Sequence, residues 1–87
     1  MGKYRLVFKK SVTKDLRAIP KRDISRILKC IESLSDDPRS IGCEKLSNQE
    51  RYRVRQGVYR IIYEIEDDTL VVIVVKVGHR SEVYKGG

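Results

Sequence analysis

The chain has 87 residues, enough for one small domain with a marginal core, and hydrophobic residues make up 40% of it against the ~45–50% usual for globular domains. Nineteen Lys and Arg against twelve Asp and Glu give a net charge of +7 and a pI near 9.7, which points to a polyanionic partner. No apolar run reaches the ~18–20 residues of a membrane span, no signal-peptide core opens the N-terminus, and two cysteines with one histidine match no metal-ligand spacing. These features imply a soluble, cytoplasmic protein without metal or cofactor, its thiols buried or idle in a reducing compartment.

Tyr4, Leu6 and Phe8 alternate with Arg5, Val7 and Lys9, which predicts a short strand with one face in the core. Ser11 suits an N-cap, and Val12, Leu16 and Ile19 recur at helical spacing, so a two-turn helix follows. Pro20 interrupts it and fits the first turn of a second helix. There Ile24, Ile27, Leu28, Ile31 and Leu34 form one stripe, with Lys21, Arg22, Arg26, Lys29 and Glu32 on the outer face. Ser35-Asp36-Asp37-Pro38 ends it, because the residue before proline is pushed out of the α region. Residues 39–50 read as a polar connection. Strands are then expected over Arg51–Gln56, Val58–Ile65 and Thr69–Val77, turning at Gln56-Gly57 and around Asp67-Asp68. The order β-α-α-β-β-β implies an α+β fold in a single domain, 1–87: one curved antiparallel sheet with a helical hairpin on one face.

The charge is unevenly placed. Residues 1–43 hold eleven basic and five acidic side chains, and residues 44–87 hold eight and seven. Inside that nearly neutral second half, Arg51, Arg53, Arg55 and Arg60 fall in ten residues without a carboxylate. Glu64, Glu66, Asp67 and Asp68 follow as a separate group, read as a solvated acidic hairpin tip. A two-residue loop at Gln56-Gly57 would set Arg53 opposite Arg60 and Arg51 opposite Ile62. Alternation would turn Tyr52, Val54, Tyr59, Ile61 and Tyr63 toward the helices and all four arginines toward the other face. Facing like charges are destabilising, and guanidinium groups fit phosphate oxygens bidentately. A phosphate platform and an ordinary solubilising strand edge both fit this pattern.

The stretch Val77-Gly78-His79-Arg80-Ser81-Glu82-Val83-Tyr84 adds the single histidine, one more arginine and a late tyrosine. By parity His79 is expected on the arginine side. Arginine, histidine and tyrosine together suffice for phosphodiester cleavage without a metal ion. Guanidinium stabilises charge on the transition state, while His or Tyr moves protons. No Gly-rich phosphate loop, HExxH, GxSxG or CxxC is present.

The run from Tyr52 to Ile65, YRVRQGVYRIIYEI, and the run from Val77 to Tyr84, VGHRSEVY, resemble the RelE/ParE toxin superfamily of type II toxin–antitoxin modules, closest to its RelE branch. The first strand, the helical pair and Lys45-Leu46 fit as well, so the resemblance spans nearly the whole chain. It implies a ribosome-dependent mRNA endonuclease acting on A-site mRNA in the 70S ribosome and neutralised by a cognate acidic antitoxin. Carried onto this sequence, the catalytic set is Arg53, Arg55, Arg60, Arg80 and Tyr84, with His79 where some relatives hold another basic residue. Arg51, Arg53, Arg55, Lys45 and Lys10 are the implied RNA contacts. A ParE-like inhibitor of DNA gyrase without nuclease activity is the alternative, and an RNA-binding homologue without activity a third. The sequence stops three residues after Tyr84, in Lys85-Gly86-Gly87, whereas several relatives continue into a C-terminal helix. Contacts made by such a helix are not carried over.

Overall fold

The computed structural model describes residues 3–39, 43–46 and 51–79. Apolar spacing produces the elements in order: β1 (Arg5–Phe8), α1 (Lys10–Arg17), α2 (Lys21–Asp36), β2 (Glu44–Lys45), β3 (Arg51–Gln56), β4 (Tyr59–Glu66) and β5 (Val71–His79). Val12 and Ile19 from the first helical segment and Ile27, Ile31 and Leu34 from α2 are buried against Val54, Ile61, Tyr63, Val72, Val74 and Val77 of the sheet. Full burial of each such aliphatic side chain is worth about 1.5–3 kcal/mol. The helices therefore cover one face of the sheet, and the opposite face is left to other chemistry.

Helix boundaries differ from expectation in small, explicable ways. The N-cap of α1 is Lys9, without a side-chain cap, and the Ser11 hydroxyl instead donates to the Val75 carbonyl oxygen at 3.4 Å. Pro20 is the N-cap of α2 rather than a member of its first turn, and Asp23 in that turn suits the positive end of the helix dipole. The helix ends at Asp36, two residues before Pro38, as the proline requires.

The sheet order is β1-β5-β4-β3-β2. β1 runs parallel to β5, from Arg5 beside Val71 to Phe8 beside Val74, while every other pair is antiparallel. The expected all-antiparallel sheet is thus a mixed one. Side-chain alternation marks a strand and its faces but carries no sign of its direction or its neighbour. Residues 39–50, expected as a connection, contain β2, which pairs Glu44 with Arg53 and Lys45 with Tyr52. Two residues cannot display a period.

The β3–β4 turn also moves. It falls at Gly57-Val58, where Gly57 has φ +61, the left-handed value that a primed two-residue turn places at its first central residue. Arg55 now faces Arg60, Arg53 faces Ile62 and Arg51 faces Glu64. The register differs from expectation by two residues, an even step, so every side chain keeps its face. Between β4 and β5 a bulge adds one residue on β5. Ile62 pairs with Lys76, Tyr63 pairs with Val74, and Val75 is the extra residue. Beyond Val74, β1 no longer lines this edge, and Asp15 of α1 accepts a hydrogen bond from the Val77 N–H at 3.3 Å. The turn from β4 to β5 ends on Leu70 at φ 53. Its carbonyl accepts the Arg5 N–H at 2.8 Å, fixing where β1 begins.

Candidate functional site

The helix-free face is crossed by three rows of side chains. Nearest the Gly57 hairpin, Arg55, Arg60 and Gly78 lie side by side on β3, β4 and β5. The next row holds Arg53, Ile62 and Lys76, with Glu44 continuing it onto β2. The third holds Arg51, Glu64 and Ile73. Arginines that are segregated from acids along the chain thus meet acids across the sheet. Arg51 Nε donates to Glu64 at 3.0 Å, and Arg53 is ion-paired and hydrogen-bonded to Glu44. Sequence proximity alone could not reveal either pairing, because both depend on register.

Arg55 and Arg60 are set differently. Arg55 is exposed and, among the described residues, has no carboxylate within ion-pair distance. Arg60 keeps its face but is not exposed there as the sequence pattern suggested: it is 7% exposed, the single buried charged residue of the described structure. In such surroundings of low dielectric a guanidinium acts more strongly on a neighbouring anion than it would in water. Opposite it on β5 stands Gly78, also buried. This row presents two guanidinium groups at directly opposed positions.

His79 is not on that face. The bulge reverses side-chain parity along the end of β5, so His79 pairs with Tyr59. The two rings meet edge-on, with centroids 6.3 Å apart. The Tyr59 hydroxyl donates to Asp23 Oδ2 of α2 at 3.2 Å. Burial first, and then the Asp23 carboxylate, pushes the Tyr59 phenol up from its ordinary range. Asp23, Arg26, Gln56, Gly57, Val58 and Tyr59 line a cleft of about 220 Å³ there. The register puts Lys45 on the Tyr52 side, and Lys10 opens α1, so neither lysine joins the arginine row. Arg80 and Tyr84 lie outside the described residues. Among the described residues no group of His, Cys, Asp and Glu could hold a metal ion.

At the far end of the sheet an arginine absent from the sequence-based site is fully engaged. Arg39 grips Asp67 with two hydrogen bonds, 3.0 and 2.8 Å, and its Nε donates to the Tyr52 hydroxyl at 3.4 Å. The guanidinium also lies 5.5 Å from the centre of the Tyr52 ring. The Tyr4 hydroxyl donates to Asp67 at 2.8 Å. Hydrogen bonds from Arg39, then from Tyr4, lower the Asp67 carboxyl from 3.8 to about 2. Tyr52 stacks on Tyr63 at 5.9 Å, and the buried Tyr63 hydroxyl donates to the Pro38 carbonyl at 2.6 Å. The supposed acidic tip is therefore partly structural, since Glu64 and Asp67 hold cations and the Thr69 hydroxyl donates to Glu66 at 3.2 Å.

On the helix side, Phe8, Thr13, Leu16, Arg17, Ile24 and Leu28 line an apolar groove of about 490 Å³. Phe8 and Leu28 are among the exposed large hydrophobic residues. No helix of the described residues is long and apolar enough to cross a membrane.

The family model for the ParE toxin of type II toxin–antitoxin systems, parDE, matches residues 6–84. Toxin RelG of Mycobacterium tuberculosis is 28% identical over 86 residues, which covers 94% of this chain and 97% of that protein. A Methanocaldococcus jannaschii protein bearing the name RelE1 is 30% identical over 87 residues, covering 95% of this chain and 97% of that one. Among solved structures, the toxin–antitoxin complex RelBE2 of Mycobacterium tuberculosis matches with a TM-score of 0.79 at 26% identity, over 88% of this chain and 98% of that chain.

Proposed function

The chain belongs to the ParE toxin family of type II toxin–antitoxin systems and is a RelE-like toxin, and from that premise we propose that it is a ribosome-dependent mRNA endonuclease acting in the cytoplasm. The observation that carries the reading is the Arg55–Arg60 row: two opposed guanidinium groups, one of them buried, beside the side-chain-free Gly78. Like charges so placed cost stability, and a phosphate bound between them reverses the sign of that interaction. Arg51 and Arg53 lie beside this row, paired with Glu64 and Glu44, and in this reading they flank the phosphate rather than hold it.

In the proposed reaction a ribose 2′-oxygen attacks the adjacent phosphorus and the 5′-oxygen departs, leaving a 2′,3′-cyclic phosphate and a 5′-hydroxyl. Tyr84 as phenolate, or His79 as neutral imidazole, takes the 2′-proton, and water protonates the departing oxygen. Tyr84 is the favoured acceptor, because His79 stands with Tyr59 on the helix side. Arg60 and Arg55 hold the charge that grows on the phosphate, and Arg80 offsets charge on the leaving oxygen. Guanidinium groups fill the part a metal ion would otherwise take, so the reaction proceeds in excess chelator.

The partners are the ribosome with A-site mRNA and an antitoxin with an acidic segment that folds onto the toxin. For that antitoxin the helix side offers the apolar groove, with Arg17 on its wall. The solved relative RelBE2 is itself a toxin–antitoxin complex.

Purified protein added to programmed ribosomes with excess chelator tests the activity. Cleavage in the A site is expected, and Arg60→Ala slows it by about a hundredfold or more. A requirement for metal, or a rate within about threefold of the parent after Arg60→Ala, overturns the mechanism. Because Arg60 is buried, the exposed Arg55→Ala provides the same test without disturbing the core. The ParE description of the matching family model favours a second reading, inhibition of DNA gyrase. Gyrase poisoning without mRNA cleavage would select it.

A further inference from the structure

Past Val74 the outer edge of β5 changes partner. Up to that point β1 lines it: the Arg5 N–H donates to the Leu70 carbonyl at 2.8 Å and the Lys9 N–H to the Val74 carbonyl at 3.1 Å. β1 then gives way to α1, and the extra residue Val75 shifts the β5 backbone by one position. The groups bonded along this edge are accordingly those of odd-numbered residues instead of even ones. Two side chains of α1 meet them. The Ser11 hydroxyl donates to the Val75 carbonyl at 3.4 Å, and Asp15 Oδ2 accepts the Val77 N–H at 3.3 Å. Ser11 and Asp15 stand four residues apart, on one face of the helix. The helix thus supplies in side chains what a longer β1 would supply in backbone.

Of the two contacts, the one made by Asp15 has the greater consequence. Val77 is 1% exposed, and a buried backbone N–H needs an acceptor. The residue after it, Gly78, pairs with Arg60, and the chain continues through His79 to Arg80. Asp15 therefore fixes the strand at the last position before the arginine row, from a helix that contributes no side chain to that row. Its other oxygen lies 3.9 Å from Lys76 Nζ, a pair open enough for solvent to screen. We propose that Asp15 is a positioning residue for the phosphodiester cleavage: by holding the Val77 N–H it sets the end of β5 against Arg60, with Ser11 as a weaker second clamp. The role rests on the endonuclease reading above and adds no contact to RNA.

The effect is geometric, and no proton or covalent step passes through the carboxylate. A shift of about 1 Å in a reacting constellation can cost about a hundredfold in rate, even when its cause lies far from the chemistry. A lost clamp is therefore read in the turnover number and not in binding. Charge is not what the Val77 N–H needs, since an amide oxygen accepts the same bond. The neutral Asp15→Asn keeps the clamp and gives up the Lys76 pair, whereas Asp15→Ala gives up both.

The test compares the full-length parent with Asp15→Ala, Asp15→Asn and Ser11→Ala, for cleavage of mRNA on programmed ribosomes and, as free proteins, for amide hydrogen exchange by NMR. Asp15→Ala should lower kcat by about tenfold or more, with KM within about twofold of the parent. Asp15→Asn should keep kcat within about threefold, a rescue that a role for the charge would forbid. Ser11→Ala should lower kcat by about threefold, and it carries the kinetic test if Asp15→Ala does not fold. The Val77 N–H should be as protected as those of Val72 and Val74 in the parent and in Asp15→Asn. In Asp15→Ala it should exchange about tenfold or more faster, with Val72 and Val74 unchanged. A parent that cleaves nothing overturns the endonuclease reading, and this role with it. With a cleaving parent, the positioning role alone is overturned by parental kcat in Asp15→Ala (or in Ser11→Ala where that variant stands in), by an equal fall in Asp15→Asn, by a change confined to KM, or by a Val77 N–H that exchanges freely in the parent.

Discussion

The two ends of the sheet use the same residue types in opposite ways. At the end that holds the β4–β5 turn, two arginines have carboxylates: Arg39 grips Asp67 and Arg51 meets Glu64, with Tyr4 and Tyr52 completing the contacts. At the hairpin end the register sets Arg55 directly opposite Arg60. Polar satisfaction at the first end makes structure. In the proposed reading, the opposed guanidinium groups at the second receive the scissile phosphate. An arginine count or the net +7 cannot tell these apart, because the difference is one of cross-strand pairing.

The largest effect should come from making the second end like the first. Arg55→Glu would set a carboxylate opposite Arg60, reproducing the Arg51–Glu64 arrangement. Cross-strand opposite charges are worth roughly 0.2–1 kcal/mol, so the variant should unfold at slightly higher urea than the parent. Its cleavage of ribosome-bound mRNA should fall by about a hundredfold or more. Arg53→Ala, which removes an arginine already neutralised by Glu44, should do much less. Equal losses at positions 53 and 55 would dissolve the distinction between the two ends. Next in size is Tyr63→Phe, which leaves the Pro38 carbonyl without its buried donor. Equilibrium urea unfolding should register a loss of about 1–3 kcal/mol, with little change in cleavage rate.

How much of this was legible in the sequence depends on what each feature needs. The α2 stripe and the division of β3 and β4 into a helix-facing and an open set follow from period alone, and Ile27, Ile31, Val54 and Ile61 are buried as that period requires. The face of the arginines survived an error in the hairpin turn only because the error was even. An odd one, such as the bulge at Val75, sent His79 to the other side. Glu44 opposite Arg53 lies beyond sequence reading, since a two-residue strand has no period. The Arg39–Asp67 grip joins positions 28 apart in the chain through a turn and a helix end, and neither residue carries a local signal of it. Burial of Arg60 contradicts what its residue type suggests, and it singles this arginine out from the other described ones.

The structural end should also tolerate improvement where the site would not. Leu70 occupies a left-handed conformation, φ 53, which costs a residue with a bulky side chain roughly 1–2 kcal/mol. It is held there by the Arg5 N–H bonded to its carbonyl. Asn adopts this conformation more readily, and Leu70 is 44% exposed and outside the core cluster, so replacement disturbs no core packing. Leu70→Asn should raise stability by about 0.5–1 kcal/mol, seen as a higher melting temperature, and leave cleavage unchanged.

The smallest effect is a pH signature that belongs to one end alone. Arg39 and Tyr4 lower the Asp67 carboxyl from 3.8 to about 2, so the folded state holds the charged form more strongly than the unfolded chain does. Stability from this group is therefore complete above about pH 4 and lost as pH falls through 2. Because both partners are largely exposed, solvent screening keeps the contribution small. Asp67→Asn should melt lower than the parent at pH 7, and the gap should close on acidification toward pH 2. A gap that stays constant would mean that Asp67 acts through turn geometry rather than charge. The corresponding change at the hairpin end, Arg55→Ala, should give a melting difference independent of pH across the same range, because no carboxylate titrates opposite it.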